Sequence, residues 1–223
     1  MTSKRIERVG PRRGYDLWSR AYDSTPNPVV AMDARHTIQL LAPQEGELIL
    51  DAGCGTGRNL KELLESGSSS VGIDFSQGML EVARDKQADV PLLLCDLERT
   101  LPFSSNSFDA VLCALIGEHL SALGAVMQEF HRVLKPRGRL VFSVYHPAMS
   151  AAGIEANFER EGTEYRLGAF HYSVDEHVSL IAKAGFTGVI SKEFVGDEAL
   201  AGSIPSAKKY LGFPLLLILT ANR

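Results

Sequence analysis

The chain has 223 residues, 45% of them hydrophobic, so it can bury one substantial core, and a single domain is expected. Its formal net charge of −4 creates no field that would attract nucleic acid or an anionic membrane, so neither is expected as a partner. No metal site is predicted, because the histidines, acids and cysteines lack ligand spacing. We interpret the three cysteines as reduced thiols of a cytoplasmic protein: Cys54, Cys95 and Cys113.

The N-terminal residues are basic and lack the apolar stretch of a signal peptide. Because Gly10-Pro11 interrupts any helical spacing there, residues 1–13 are interpreted as a flexible arm. Helical spacing then appears across residues 14–42 and predicts helices that cap the following sheet. No apolar run in the chain reaches the length of a membrane span, so none is expected.

From residue 48 onward, apolar runs alternate with amphipathic segments, as in a parallel sheet with helices on both faces. The predicted strands cover residues 48–51, 70–74, 92–95, 110–115 and 140–144. The predicted helices between them cover residues 58–66, 77–86 and 120–134. The sequence therefore predicts a Rossmann-like, doubly wound α/β fold with a mostly parallel sheet.

This alternation stops after the fifth predicted strand. Residues 145–172 are polar, and an insertion at the carboxyl end of a strand is where α/β proteins build substrate walls. A helix near residues 174–184 and apolar runs at 186–194 and 215–220 follow. These runs complete a seven-stranded sheet with an antiparallel edge strand, so that residues 1–223 form one domain.

The first predicted strand leads into a glycine-rich turn, Asp51-Ala52-Gly53-Cys54-Gly55-Thr56-Gly57, which we call the glycine loop. Glycines at alternate positions let a ligand approach the backbone closely. Asp74 ends the second strand, where a carboxylate can accept hydrogen bonds from both hydroxyls of a ribose. Asp96 ends the third strand on the same rim, where it can accept from an adenine amine. An adenosine-type ligand is predicted, although either acid alone could also cap a helix.

A nicotinamide dinucleotide also binds to a glycine turn, so the spacing of the glycines matters. The dinucleotide fingerprint has its third glycine three residues after the second, and this chain has Arg58 there. In this chain the third glycine, Gly57, comes one position earlier. The spacing therefore argues against an NAD-dependent oxidoreductase, which is kept as a less favoured alternative.

Several blocks together resemble the class I methyltransferases that use S-adenosylmethionine, and among them the branch of small-molecule enzymes that includes ubiquinone and menaquinone biosynthesis. The resemblance covers roughly residues 15–144 and implies in-line transfer of a methyl group to a small molecule, with S-adenosylhomocysteine as product. A non-catalytic or regulatory protein that binds either form of the cofactor stays open as the alternative. The blocks are residues 50–57, 72–76, 79–80, 95–96, 101–103, 107–109 and 129–138.

The resemblance also implies which residues contact the cofactor. Gly53 and Gly55 would lie against the methionine part, and Asp74 would hold the ribose. Asp96 and Leu97 would frame the adenine, with Met79 packed on its face. The complete predicted set is Tyr22, Gly53, Cys54, Gly55, Arg58, Asp74, Phe75, Met79, Asp96, Leu97 and Leu115.

The acceptor site is predicted from residues outside the glycine loop. Glu118 and His119 follow the fourth strand, where the family frequently has a His-His pair, and His146 follows the fifth strand. These three are the candidates for removing a proton from the acceptor. The fourth strand lacks the Pro-Pro-aromatic and Pro-Cys patterns of enzymes that methylate bases or amides, which favours a small molecule. The acceptor atom stays open, a monomer or homodimer is expected, and the predicted substrate contacts are Tyr15, Trp18, Tyr145, His171 and Tyr172.

Overall fold

The computed structural model describes residues 5–87 and 89–223. Short 3-10 turns at Gly117–His119 and Pro205–Tyr210 supplement the regular elements. Those elements are, in chain order, β1 (Arg5–Arg8), α1 (Pro11–Tyr22), α2 (Pro28–Leu41), β2 (Leu48–Ala52), α3 (Arg58–Glu65), β3 (Ser69–Asp74), α4 (Gln77–Lys86), β4 (Leu92–Leu94), β5 (Phe108–Ala114), α5 (Leu123–Val133), β6 (Leu134–Tyr145), α6 (Pro147–Ala151), β7 (Asn157–Arg160), β8 (Thr163–Arg166), α7 (Val174–Lys183), β9 (Thr187–Val195), α8 (Glu198–Ser203) and β10 (Pro214–Asn222).

Seven strands form the central sheet in the order β4-β3-β2-β5-β6-β10-β9. The first five in that order are parallel, and β10 runs antiparallel to both of its neighbours. The predicted Rossmann-like fold is therefore confirmed, with the antiparallel strand one position in from the edge. The chain reverses its direction of travel through the sheet between β2 and β5. In such sheets ligands bind at the carboxyl ends of the strands where this reversal occurs.

Hydrophobic cores lie on both faces of the sheet. Ile49 and Leu50 are neighbours on β2, yet each is fully buried in a different core. Burial on both faces explains why these strands appear in the sequence as continuous apolar runs. Phe108, Phe130 and Phe142 are the largest fully buried side chains of one core. Among the helices within the described ranges, none is long and apolar enough to cross a membrane.

The N-terminal residues differ from the sequence prediction of a flexible arm over residues 1–13. Arg5–Arg8 pairs in parallel with Thr163–Arg166, and α1 begins at Pro11. Proline is favoured in the first turn of a helix, where its missing N–H would have no partner in any case. The Gly10-Pro11 pair therefore starts a helix instead of interrupting one. Residues 1–4 of the predicted arm lie outside the described residues.

The insertion after β6 folds into α6 and the antiparallel hairpin of β7 and β8. β1 joins this hairpin to give a second sheet in the order β1-β8-β7. On α1, Trp18 packs against Phe158 and Leu167 of the insertion in a small separate core. The N-terminal segment and the insertion are thereby one unit, held together by a sheet and an apolar cluster.

Candidate active site

A cavity of about 670 Å³, the main cavity, opens where β2 to β5 end. Its walls are the glycine loop, the turns after β3, β4 and β5, and residues 10–13, 15 and 16. The structure thus brings together all of the residues predicted to contact the cofactor. Those lining the main cavity are Tyr22, Gly53, Cys54, Gly55, Arg58, Asp74, Phe75, Met79, Asp96, Leu97 and Leu115.

Two positions in the glycine loop require glycine for different reasons. Gly53 has φ +82°, and a Cβ there would lie 2.4 Å from Cγ1 of Ile116. Only a residue without a side chain lets the loop approach the turn after β5 this closely. Gly55 has φ +53°, and a Cβ there would meet nothing within 4 Å. Gly55 therefore leaves open space in the wall where a ligand can reach the backbone.

Asp74 is the buried carboxylate that ends β3. Its Oδ2 accepts from the backbone N–H of Gly55 at 2.9 Å, and its Oδ1 accepts from that of Ser76 at 2.8 Å. Burial raises its pKa to about 6, although the N–H groups of Ser76 and Gly55 act in the opposite direction. Each carboxylate oxygen has a further lone pair, so both can still accept a ligand hydroxyl.

Arg58 opens α3 and is fixed by an acid that the sequence analysis did not identify. Its Nη2 donates to Asp33 at 2.5 Å. Asp33 is fully buried on α2 and also accepts from Thr37 at 2.6 Å and from Ser143 at 2.5 Å. Within the described residues, Nη1 of Arg58 is buried without a hydrogen-bond partner. One side of the guanidinium is thus anchored, and the other is free to bind an anionic ligand group.

Two acceptors near Arg58 are also unsatisfied. Asn59 lines the main cavity, and its Oδ1 has no partner in residues 5–87 or 89–223. The same is true of both carboxylate oxygens of Asp51, which is fully buried at the end of β2. Burial raises the pKa of Asp51 to about 7, against the opposing charge of Arg58. Since buried polar groups normally have partners, this region is suited to a ligand with both positive and negative groups.

Tyr15 and His119 meet at the edge of the main cavity, with Oη of the tyrosine 2.9 Å from Nε2 of the histidine. Burial raises the pKa of Tyr15 well above its usual value and lowers that of His119 to about 4. At neutral pH the tyrosine is therefore protonated and the histidine uncharged. Nδ1 of His119 is buried and unpartnered among the residues that the structure describes.

Three residues predicted for the acceptor site line neither the main cavity nor its smaller neighbour. Trp18 is buried and stacks on Phe158 with 5.0 Å between ring centroids, which fixes α1 to the insertion. His146 caps α6 through Nδ1, and its Nε2 lies 2.9 Å from Glu193, so its ring is held elsewhere. His171 lines neither this cavity nor its smaller neighbour. The fold gives Trp18 and His146 packing and capping roles that local sequence does not reveal.

The other predicted residues, Glu118, Tyr145 and Tyr172, line a second cavity of about 20 Å³, the small cavity. It lies between the turn after β5, the end of β6 and the insertion. Phe170 is half-exposed and lines both cavities. Glu118 and His119, although adjacent in sequence, therefore face different spaces.

The main cavity is suited to a nucleoside joined to an amino acid. Asp74 can hold a ribose, and Met79 and Leu97 supply apolar wall for a base. Arg58 and Asn59 can bind a carboxylate and an ammonium group respectively. In residues 5–87 and 89–223, no group of three or more His, Cys, Asp or Glu side chains is arranged to hold a metal ion.

Comparison with known proteins gives a family match over residues 50–142, to the family described as methyltransferase domain. A demethylmenaquinone methyltransferase of Corynebacterium kroppenstedtii is 36% identical over 132 residues, covering 57% of this chain and 56% of the relative. A malonyl-[acyl-carrier protein] O-methyltransferase of Yersinia pestis is 35% identical over 126 residues, covering 56% and 46%. The chain thus matches about half the length of these relatives.

A solved structure shares the architecture over most of both chains. It is the S-adenosylmethionine-dependent methyltransferase of Mesorhizobium loti, with a TM-score of 0.70 and 23% identity. The match covers 83% of this chain and 95% of the other. At this identity the likeness shows a common fold. The family match agrees over residues 50–142 with the resemblance predicted from the sequence.

Proposed function

We propose, from the premise that residues 50–142 belong to the methyltransferase domain family, that the chain is an S-adenosylmethionine-dependent methyltransferase acting on a small molecule. One observation carries the proposal. Asp74, bonded to the glycine loop, lines the same cavity as Arg58, whose Nη1 is buried and unpartnered in the described residues. A ribose acceptor and a carboxylate donor on one wall match the two ends of this cofactor.

The residues of the main cavity fit S-adenosylmethionine as follows. Asp74 would accept from the ribose hydroxyls, and Asp96 from the adenine amine. Arg58 would bind the carboxylate of the methionine part and Asn59 its ammonium group, while Gly55 leaves room for the chain between them. The cofactor supplies an electrophilic methyl group on a sulfonium. Asp74 and Arg58 are held in place beforehand by hydrogen bonds within the chain, so they would lose little entropy on binding it.

Positioning would do most of the catalytic work. In-line transfer requires the acceptor atom, the methyl carbon and the sulfur to be collinear, and orientation can supply about 7–11 kcal/mol of a barrier. Leu115 and His119, which follow β5, line the part of the main cavity where we place the acceptor. We keep Tyr15 as an acceptor contact, because its ring lines the cavity beside His119.

His119 is the residue we propose as proton acceptor when the acceptor atom carries a proton. Burial lowers the pKa of His119 to about 4, so its imidazole is neutral at neutral pH. Its Nδ1 can take a proton only in the tautomer whose Nε2–H donates to Tyr15. A general base adds about 10²–10⁴-fold to a rate when its pKa lies near the working pH, and the pKa of about 4 makes His119 a weaker base than that. Glu118 is kept for a different task, argued below.

The names of the relatives support methyl transfer and leave the acceptor open. One relative is named for a menaquinone precursor and the other for a malonyl group on a carrier protein. These acceptors differ in size and chemistry, and the match covers only about half of either protein. What the two names have in common is methyl transfer.

A cytoplasmic location and a monomeric or homodimeric state are also part of the proposal. Cys54, Cys95 and Cys113 are free thiols, as expected in a reducing compartment. Light scattering after size-exclusion chromatography measures the oligomeric state. A tetramer or larger assembly would contradict that part of the proposal.

Transfer of a trideuterated methyl group tests the function. The protein is incubated with S-adenosylmethionine labelled at its methyl group and a panel of small hydroxyl, amine, thiol and enol acceptors, followed by mass spectrometry. We expect one acceptor class to gain the labelled methyl group as S-adenosylhomocysteine accumulates. The Arg58→Met variant is the control and should show lower transfer at low cofactor concentration. Binding of the cofactor with no transfer to any acceptor class would contradict an enzymatic role.

A further inference from the structure

Glu118 is a buried acid that nothing in the described part of the fold neutralises. It is only 9% exposed, and within residues 5–87 and 89–223 neither Oε atom has a hydrogen-bond partner. Burial raises its pKa to about 7. A buried carboxyl without a partner costs free energy, and such groups are concentrated at functional sites.

The other titratable groups of the small cavity add acceptors rather than donors. Nδ1 of His177 donates to the backbone carbonyl of Ser173 at 2.8 Å, which leaves Nε2 of the neutral ring as an acceptor. Burial lowers the pKa of His177 and keeps the ring uncharged at neutral pH. Glu155 also lines this cavity, but its carboxylate is paired with Arg8 at 3.4 Å. Glu118 is therefore the acid here that still needs a positive partner.

Aromatic rings make up much of the remaining wall. Tyr145 directs its hydroxyl to Asn27, from which it accepts a hydrogen bond of 2.7 Å. The Tyr172 hydroxyl donates to the backbone carbonyls of Leu120 and Ser121, at 3.1 and 2.9 Å. These hydroxyls are bonded outside the small cavity, so the rings are what they contribute to it. Aromatic faces attract cations.

The size of the small cavity selects the kind of cation. A volume of about 20 Å³ holds one water-sized group. A primary ammonium group has that size, carries three donors and brings the charge that Glu118 lacks. A quaternary ammonium or a guanidinium is too large for the space.

We propose that the small cavity is the subsite that holds a primary ammonium group of the methyl acceptor, with Glu118 as its counter-ion. This inference rests on the proposed function, because the acceptor must extend from the main cavity past Phe170, which lines both spaces. A protonated nitrogen has no free lone pair. The ammonium group therefore anchors the acceptor, and the atom that receives the methyl group belongs to another part of the same molecule, near His119.

Calorimetric titration with two matched probes tests the subsite. The probes are n-butylammonium, whose head should enter the small cavity, and 1-butanol, which has the same chain without the charge. Each is titrated into the wild type, Glu118→Gln and the control Glu155→Gln, with and without saturating S-adenosylhomocysteine. We expect n-butylammonium to bind the wild type at least about tenfold more tightly than 1-butanol, as a charged hydrogen bond provides. Glu118→Gln should remove that preference, and Glu155→Gln should keep it.

Equal affinity for the two probes, or a preference that survives in Glu118→Gln, would overturn the subsite. Titration of S-adenosylhomocysteine into the same protein preparations tests the proposed function separately. If it binds and n-butylammonium shows no preference, only the subsite fails. If it does not bind, the proposed function fails, and the titration without it still decides whether the small cavity holds a cation. A crystal structure with n-butylammonium provides a second measurement, in which the nitrogen must lie within hydrogen-bond distance of Glu118.

Discussion

Acidic side chains have different surroundings at the two ends of the central sheet, the amino end, where the parallel strands begin, and the carboxyl end, where they end. At the amino end, Glu47 pairs with Arg139 at 2.6 Å and Asp109 with Lys135 at 2.8 Å. The Arg139 hydrogen bonds hold the pKa of Glu47 below its usual value. Burial alone would raise the pKa of Asp109, but the N–H of Leu48 and the Lys135 ammonium together lower it. These carboxylates stabilise the fold because their partners belong to the chain.

At the carboxyl end, the acids are buried and have no paired cation among the described residues. Burial raises the pKa of Asp51 and of Glu118 to about 7 and that of Asp74 to about 6. An acid with a raised pKa destabilises the native state as pH rises from its unfolded value to its folded one. These acids therefore lower the free energy of unfolding at neutral pH. A ligand that donates hydrogen bonds or positive charge to them can offset that loss.

The difference separates what the fold needs from what the function needs. Acids where strands begin are paired with cations of the chain, whereas Asp51, Asp74 and Glu118, where strands end, have no ion-pair partner within the described residues. Substitutions at the two ends should then have opposite effects on stability and on binding. Four substitutions, ordered from the largest expected effect to the smallest, test that contrast.

The first substitution removes an unpaired charge at the carboxyl end. Glu118→Gln should increase the free energy of unfolding by about 3 kcal/mol at pH 8, since the pKa rises from 4.5 to about 7 on folding. The gain should shrink as pH falls and reach zero below pH 4.5, where the wild-type side chain is protonated in both states. Urea unfolding across this pH range measures it. A stability loss at pH 8 would mean that Glu118 has an unseen stabilising partner.

The second substitution breaks a pair at the amino end. Arg139→Ala should lower the free energy of unfolding by about 2 kcal/mol, because Glu47 and the carbonyl of Leu41 both lose a charged donor. The loss should fade in acid, because stability from a lowered pKa disappears as pH falls through it. Affinity for S-adenosylhomocysteine should stay unchanged in calorimetry. If the variant had wild-type stability but bound the cofactor weakly, it would contradict the proposed difference between the two ends.

The third substitution removes the carboxylate of the proposed ribose site. Asp74→Ala should weaken binding of S-adenosylhomocysteine at least about tenfold, or about 1.4 kcal/mol, because charged hydrogen bonds are lost. In the wild type, affinity should decline as pH falls below about 6, where Asp74 becomes protonated. Titration calorimetry at several pH values measures both effects. Wild-type affinity in the variant would remove Asp74 from the site.

The fourth substitution breaks an exposed ion pair that should contribute neither to stability nor to cofactor binding. Lys61 and Glu65 lie 3.8 Å apart on α3, and both side chains are more than 60% exposed. Lys61→Ala should change neither stability nor cofactor affinity by more than about 0.5 kcal/mol, since such pairs are screened by water. A larger effect in either assay would show that charge on this helix influences the site at long range.

The fold, and the grouping of the predicted cofactor contacts around one cavity, were accessible from sequence because their signals are local. Asp74 and Asp96 each follow an apolar run that predicts a strand, so their common rim follows from the parallel sheet alone. In the glycine loop, Gly53 avoids a clash with Ile116, and Gly55 leaves open space beside the backbone. Every residue predicted there lines the main cavity.

Contacts between distant segments were not accessible. Asp33 sits in a run of helical spacing, and only the packing of α2 brings it to Arg58 and Ser143. Likewise, Arg5–Arg8 pairs with Thr163–Arg166, far along the chain, so the first residues look like a free arm in sequence. His146 resembles a catalytic candidate by its place after a strand, yet its ring caps the next helix. Tertiary packing, which a single sequence does not display, decides each case.

The central claim is that the carboxyl end of the sheet binds S-adenosylmethionine. The most direct test titrates S-adenosylmethionine, S-adenosylhomocysteine and NAD into the same wild-type preparation, with calorimetry and thermal unfolding as paired readouts. A ligand that binds only the native state raises the melting temperature. We predict that both sulfur compounds bind and stabilise the protein and that NAD does neither. Stabilisation by NAD alone would contradict the account.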